Sequence, residues 1–337
     1  MGEFELLARI RERLPANGPH IHLGSGDDAS VTVPGGATAT SVDALVEGVH
    51  FSRATASLAQ IGHKALATAL SDLAAMGADA GEAYVVLGVP PDLDENGCIE
   101  LLDGLLALAT ATGTSLAGGD VSRAGELFLT ITVVGHASSP DLLTGRAGAQ
   151  PGDALVLTGE IGGAAAGLHL LDNPNLAADF LHKGAMDGLS AKSAMEALVT
   201  RQLEPTPRLA AGRALTGAGA TAMIDLSDGL GGDASHLAEA SSVGLRIEAA
   251  ALPLDAGIAE VAAATAKDRF DLALAGGEDY ELLASIPPAL LDAATQAVRK
   301  TEGIALTQIG EVVAGAGVEI RLPDGRLAEP EGYDQLA

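Results

Sequence analysis

Nine carboxylates fall in six short stretches of this 337-residue chain. Asp27 and Asp28 follow Gly24-Ser25-Gly26, and Asp43 ends the stretch from Thr38 to Val42 that reads as a strand. Asp72 lies in a helical pattern, and Asp120 follows Gly118-Gly119. Asp225 and Asp228 flank Leu226-Ser227 directly after an apolar strand, and Glu278-Asp279 follow Gly276-Gly277. Strand ends and glycine turns carry charge into a cleft while the scaffold stays rigid. Carboxylates gathered without Lys or Arg repel one another and resist ionisation. A divalent cation relieves that repulsion, and hard oxygen ligands suit Mg²⁺. Acids also favour turns and helix caps, so it is the set, not any one motif, that points to a site.

Lys64, Thr68 and Asp72 stand at i, i+4 and i+8, one polar stripe beside an apolar one. The residues around them are apolar or small, so a stripe lining a cleft is expected over an exposed face. Gly159-Glu160-Ile161-Gly162-Gly163 precedes a helix and is a candidate phosphate cradle. It lacks the Gly-Lys-Ser/Thr of a P-loop and the dinucleotide fingerprint, so a plain turn is expected. His20 and His22 read as surface histidines, and His50 by itself as an ordinary core or surface residue. Cys98 is the one cysteine, which excludes a disulfide framework and a multi-Cys metal site. It has no basic sequence neighbour and reads as a structural or surface thiol. No Gly-x-Ser-x-Gly elbow is present, which weakens hydrolase readings.

The elements that must position these groups alternate between strands and helices, an α/β or α+β pattern. Strands are expected at 38–42, 127–134, 154–157, 222–224 and 245–248, and helices at 61–76, 99–109, from about 164, and near 233–240. The segments 272–275 and 280–286 read as a glycine turn joined to a strand. The pattern lapses between Ser138 and Asp153, which places two domains at 1–138 and 150–337. Hydrophobic residues make up 47% of the chain, ample for a core and too many for disorder. With five Phe, three Tyr and no Trp, that core must be aliphatic. The net charge of −26 argues against binding the nucleic-acid backbone or anionic lipid. No signal-peptide pattern or spanning apolar run is visible, so a soluble protein is expected.

Seven stretches together resemble one family. They are Gly26-Asp27-Asp28-Ala29; Ser41-Val42-Asp43 with Glu47-Gly48-Val49-His50-Phe51; and Lys64-Ala65-Leu66-Ala67 through Ser71 to Ala78. Then come Gly118-Gly119-Asp120; Gly145-Arg146-Ala147-Gly148-Ala149 with Pro151-Gly152-Asp153; Ile224 to Leu230; and Gly276 to Leu282. In this order, across nearly the whole chain, they resemble the thiamine-monophosphate kinases of the aminoimidazole-ribonucleotide-synthetase-like ATP-binding superfamily.

The resemblance implies transfer of the γ-phosphoryl group of ATP to thiamine monophosphate, with several Mg²⁺ ions, in a cytoplasmic homodimer. It implies an N-terminal sheet-plus-helices domain that dimerises and a C-terminal α/β domain that closes the site. Position by position, Asp28, Ser41, Asp43, Asp72, Asp120, Asp225 and Asp228 match Mg²⁺ positions. Val42 stands where relatives often carry Thr, so only its backbone carbonyl remains to serve a metal. Gly119, Asp120, Arg146 and Ser227 match nucleotide contacts, and His50, Glu278 and Tyr333 match thiamine-phosphate contacts. Asp72, Asp120, Arg146 and Asp225 are the expected catalytic group. Thr68 replaces a common Asn, and the helix at 101–106 lacks an aromatic often found near the adenine. Two alternatives stay open: another ATP-using enzyme of the superfamily, such as an AIR or selenophosphate synthetase, and a non-catalytic metal or nucleotide binder.

Overall fold

The computed structural model describes residues 3–25, 29–183 and 188–333. The chain folds as two compact units, Met1–Leu73 with Ala78–Leu142, and Ala74–Gly77 with Leu143–Ala337.

The first unit begins with helix α1 (Glu3–Arg13) and a short hairpin, β1 (Ile21–Leu23) and β2 (Val31–Thr32). Its body is a four-stranded sheet of β3 (Ala37–Val46), β4 (Asp79–Val89), β5 (Ser115–Arg123) and β6 (Phe128–Ala137), in the order β3-β6-β4-β5. The β4–β5 pair is parallel and the other two are antiparallel. Helices α2 (Leu58–Ala75) and α3 (Glu95–Thr112) bury their aliphatic faces. On β6, Leu129, Ile131 and Val133 are buried on the covered face of the sheet. On the opposite face Val42 and Val86 remain 60% and 37% exposed.

Small residues let α2 and α3 approach closely. A methyl group on Gly62 would overlap the Leu101 carbonyl, and one on Gly104 would overlap the Ala59 carbonyl. The two glycines therefore seat one helix on the other's backbone. Helix α3 is closed by caps at both ends: the Asp94 side chain accepts from Gly97 N–H, and Gly113 takes a left-handed φ of 74°.

The strand expected at 38–42 runs on to Val46, so Asp43 lies inside β3 rather than at its end. Likewise Gly118-Gly119-Asp120 is no turn but the middle of β5. Gly119 is needed because a side chain there would strike the Val85 carbonyl of β4. Glycines in a strand and glycines in a turn look alike in sequence.

The second unit holds a seven-stranded sheet flanked by helices. Its elements are β7 (Ala154–Thr158), α4 (Gly163–Asp172), α5 (Pro174–Lys183), α6 (Gly188–Leu203), α7 (Leu209–Ala218), β8 (Ala222–Asp225), α8 (Leu230–Ser241) and β9 (Gly244–Glu248). They continue with α9 (Ile258–Ala264), α10 (Arg269–Ala275), β10 (Leu282–Ile286), α11 (Leu291–Glu302), β11 (Leu306–Val313), β12 (Gly317–Arg321) and β13 (Leu327–Ala328). Strand order is β13-β12-β9-β11-β7-β10-β8, with only β9 and β12 parallel. Strands β7, β8 and β10 are buried at every residue, which is why they read as continuous apolar runs. The segment 272–275 is helical, part of α10, and Asp268 caps it. Its Leu-Ala-Leu-Ala run is too short for periodicity to separate helix from strand.

Replacing Gly104 with Ala is expected to cost about 1–3 kcal/mol by overpacking α2 against α3. Urea unfolding of the two proteins measures it; a loss below about 0.5 kcal/mol would show that the helices do not meet there.

Candidate active site

In the first unit, strand β3 and helix α2 bring together three of the predicted residues. The Ser41 hydroxyl donates to Asp72 Oδ2, and Asp43 shares the Ser41 side of β3 by strand alternation. The polar stripe on α2 is not an exposed face, since Lys64 is 3% and Thr68 6% exposed. Lys64 Nζ donates to the His50 carbonyl at 3.3 Å, and Thr68 Oγ1 to the Ala65 carbonyl at 3.1 Å. His50 sits in the turn after β3, where its Nδ1 accepts the Val46 N–H at 3.1 Å. A neutral ring in that bond carries its proton on Nε2. The Val42 side chain lies on the other face of the sheet, away from Ser41 and Asp72.

Asp120 is not with this group. It lies on β5, at the edge of the sheet opposite β3, about three strand spacings or ~14 Å away. Its register partner is Val86, so it occupies the uncovered face, while Asp43 pairs with Ile131 on the covered one. Ser122 donates to Asp120 at 2.9 Å. Asp28, with Asp27, lies outside the described residues. His20 is not a lone surface residue: its ring stacks on His136 with centroids 4.0 Å apart, and His136 is bonded to buried Glu82 at 2.8 Å. Cys98 is buried, and burial together with the Asp94 charge pushes its thiol up.

In the second unit two loops are stitched together by backbone bonds. Leu226 N–H donates to the Glu281 carbonyl at 2.8 Å, Glu278 N–H to Ser227 at 2.8 Å, and Tyr280 N–H to Leu226 at 2.9 Å. Tyr333 N–H donates to the Asp228 carbonyl at 2.9 Å. Ser227, Asp228, Glu278 and Tyr333, spread over more than a hundred residues of sequence, thus become neighbours. Asp225 ends β8 and is 3% exposed. Glu278 and Tyr280 have φ of 60° and 50°, which costs roughly 1 kcal/mol or more at each non-glycine position.

What holds that strained loop is Glu281, which is fully buried. Its carboxylate accepts from Arg201 Nη1 at 2.9 Å, Arg208 Nε at 2.9 Å and Nη2 at 2.6 Å, and Thr158 Oγ1 at 2.7 Å. Asp279 turns inward and caps α4, accepting from Gly162 N–H at 2.7 Å and Ala164 N–H at 3.2 Å. The glycine stretch 159–163 is therefore a turn, and the helix start is taken by a carboxylate rather than left for a phosphate. Burial pushes the Asp279 carboxyl up to about 7.

Asp233, in the first turn of α8, joins Asp225 and Asp228. It is 2% exposed and accepts the Asp228 N–H at 3.1 Å. Burial, then the Asp225 and Asp228 charges, push its carboxyl up to about 8. Asp228 is also pushed up by burial, against the opposing pull of His236 and Arg146. Arg146 is exposed, on a loop pinned to the end of α8: Ser241 Oγ donates to the Arg146 carbonyl at 2.9 Å and accepts Gly148 and Ala149 N–H, each at 3.1 Å. Asp233 escaped the motif reading because it sits inside a helix pattern, although five residues after Asp228 and just past a helix start is where a side chain reaches back. The partnership of Arg201 and Arg208 with Glu281 had no sequence signal.

Among the described residues, no group of three or more His, Cys, Asp or Glu side chains is placed to hold a metal ion by itself. Mg²⁺ is commonly held by one or two carboxylates plus phosphates and water. The small groups of oxygen donors here, Ser41 with Asp72 in the first unit and Asp225 with Asp228 after β8 in the second, fit that mode of binding.

The model of the AIR synthase related protein N-terminal domain matches residues 26–137, and that of the C-terminal domain matches residues 150–323. The chain is 38% identical over 341 residues to the thiamine-monophosphate kinase of Escherichia coli strain K12, covering 100% of this chain and 98% of that one. The crystal structure of thiamine-monophosphate kinase from Stenotrophomonas maltophilia K279a superposes with a TM-score of 0.80 at 34% identity, covering 97% and 98% of the two chains. A structure of AaThiL complexed with AMPPCP and TMP superposes with a TM-score of 0.73 at 27% identity, covering 98% and 96%.

The raised Asp233 carboxyl has a stability consequence with a definite sign. Its ordinary value is 3.8 and its folded value about 8, so between the two the folded chain keeps a proton that the unfolded chain has lost. The contribution is fully present below about pH 4 and is lost as pH rises through about 8. The melting temperature of metal-free protein should therefore fall between about pH 4 and 8 and level off above that, and Asp233→Asn should flatten that fall. An equal slope in both proteins, read by calorimetry, contradicts the assignment.

Proposed function

This chain belongs to the AIR-synthase-related proteins and, within them, to the thiamine-monophosphate kinase family, and from that premise we propose that it transfers the γ-phosphoryl group of ATP to thiamine monophosphate by direct in-line attack. The observation that carries the reading is the stitched pair of loops, in which Ser227 and Asp228 lie beside Glu278 and Tyr333. A nucleotide-contact position and substrate-contact positions of one family become neighbours there.

Donor and acceptor are both phosphates, so the obstacle is bringing anions together rather than making a nucleophile. A phosphate monoester is largely dianionic near neutral pH, and no general base is required. Positioning and charge neutralisation carry such transfers, and Mg²⁺, when bound, supplies part of both. In the first unit Ser41, Asp43, Asp72 and the Val42 carbonyl would hold it, with Asp28 in the same proposed set; Asp120, on the other face of the sheet, would serve a separate ion. In the second, Asp225 and Asp228 would do so, with Asp233 fixing the Asp228 backbone. Arg146 offers a forked donor to a phosphate. His50, Glu278 and Tyr333 contact the acceptor. A reducing cytoplasm suits a chain whose one thiol is buried.

We assign a homodimer to the uncovered sheet face bearing Val42 and Val86. Asp120 lies on that face as well and would meet the second copy there.

With ATP, Mg²⁺ and thiamine monophosphate, ADP release is expected; none with that acceptor overturns the reading. A phosphorylated enzyme isolated after ATP alone, competent to pass its label on, overturns the in-line route. Asp72→Asn should lower kcat by on the order of 100-fold, the scale of removing one preorganised charge-stabilising group, with the fold intact by circular dichroism.

A further inference from the structure

We propose that Gln202 is a positioning residue that sets acceptor specificity by directing the Glu278 carboxylate without cancelling its charge; this rests on the reading of Glu278 as a thiamine monophosphate contact. Gln202 is 4% exposed near the C-terminal end of α6. Its Nε2 donates to Glu278 Oε2 at 2.7 Å. Its chain neighbour Arg201 donates to Glu281 at 2.9 Å and to the Glu160 carbonyl. Two consecutive residues of one helix thus grip two carboxylates of one loop.

The two carboxylates are treated differently. Glu281 meets two guanidinium groups, is fully buried, and serves as an internal anchor. Glu278, three residues earlier, is half-buried and receives from α6 an amide, which donates a hydrogen bond but brings no charge. The left-handed φ of 60° at Glu278 sets the direction of its Cα–Cβ bond, and the Gln202 bond restrains the flexible torsions beyond it. A carboxylate oriented this way suits an acceptor that offers a cation or N–H donors. Thiamine monophosphate offers both, a cationic thiazolium ring and an aminopyrimidine. An arginine at position 202 would hold the same oxygen and weaken that attraction.

The test is steady-state kinetics in both substrates, with calorimetric binding of thiamine monophosphate, on wild-type enzyme, Gln202→Met and Gln202→His. Methionine keeps the volume and loses the donor; histidine keeps a neutral N–H donor. The expected result for Gln202→Met is a KM for thiamine monophosphate raised roughly tenfold or more, the size of one charge-assisted bond, with kcat and the KM for ATP within about twofold. Gln202→His should recover most of the loss. Adding Gln202→Met to Glu278→Gln should do no further harm, because the two act as a unit. Equal rises in both KM values, identical Met and His variants, or additive losses in the double variant overturn the proposal. If Gln202→Met is unstable, Gln202→Leu, which also removes the donor, takes its place in the single and double variants under the same criteria. Absence of wild-type turnover with thiamine monophosphate sinks the parent reading along with this one. Normal wild-type turnover with an unshifted Gln202→Met sinks only this one.

Discussion

A fully buried carboxylate organises the second unit. Glu281 has no exposure to water, and its charge is tolerated only because Arg201, Arg208 and Thr158 supply four hydrogen bonds to it. Those partners come from three separate places: strand β7, helix α6 and the residue preceding helix α7. Each is thereby fixed relative to the loop that Glu281 ends. Removing one partner would leave buried charge uncompensated, which typically costs about 3–5 kcal/mol. The anchor also carries the strain upstream of it, where Glu278 and Tyr280 take left-handed backbone conformations that only an over-determined surrounding would hold.

The functional loops inherit their precision from that anchor. Once 278–281 is fixed, its backbone bonds to 226 and 227 fix the end of β8 and the turn that follows. Asp233 then reaches back from α8 to the Asp228 N–H, and Ser241 at the far end of the same helix holds the loop of Arg146. Helix α8 is thus a rigid spacer between a cluster of acids and a cation. The acids are placed against their electrostatic preference, as the raised Asp233 carboxyl records. Sites that store such a penalty are suited to a ligand of opposite charge.

The first unit solves its positioning with a sheet. Strand alternation puts Ser41 and Asp43 on one side of β3, and α2 brings Asp72 to meet them. The same regularity keeps Asp120 apart, because its register on β5 turns it to the uncovered face at the opposite edge of the sheet.

Residue order alone was enough to show which residue types recur at which spacing, and hence the family, the alternation of strands and helices, and most element positions. It also showed that Ser227 and Asp228 follow an apolar strand and that Glu278 follows paired glycines. Tertiary structure decided which of these meet. Gly118-Gly119 belongs to a strand rather than a turn because of how closely β4 passes, a fact about another segment. Asp279 became a helix cap and Glu281 an anchor, although both stand in the same acidic motif as Glu278. The difference lies in what each faces: helix N–H groups, two arginines, or the amide of Gln202. Local sequence encodes the chemistry of a side chain and the conformation of its own backbone. Its charge state and freedom are set by neighbours tens of residues away, and those are chosen only when the chain packs.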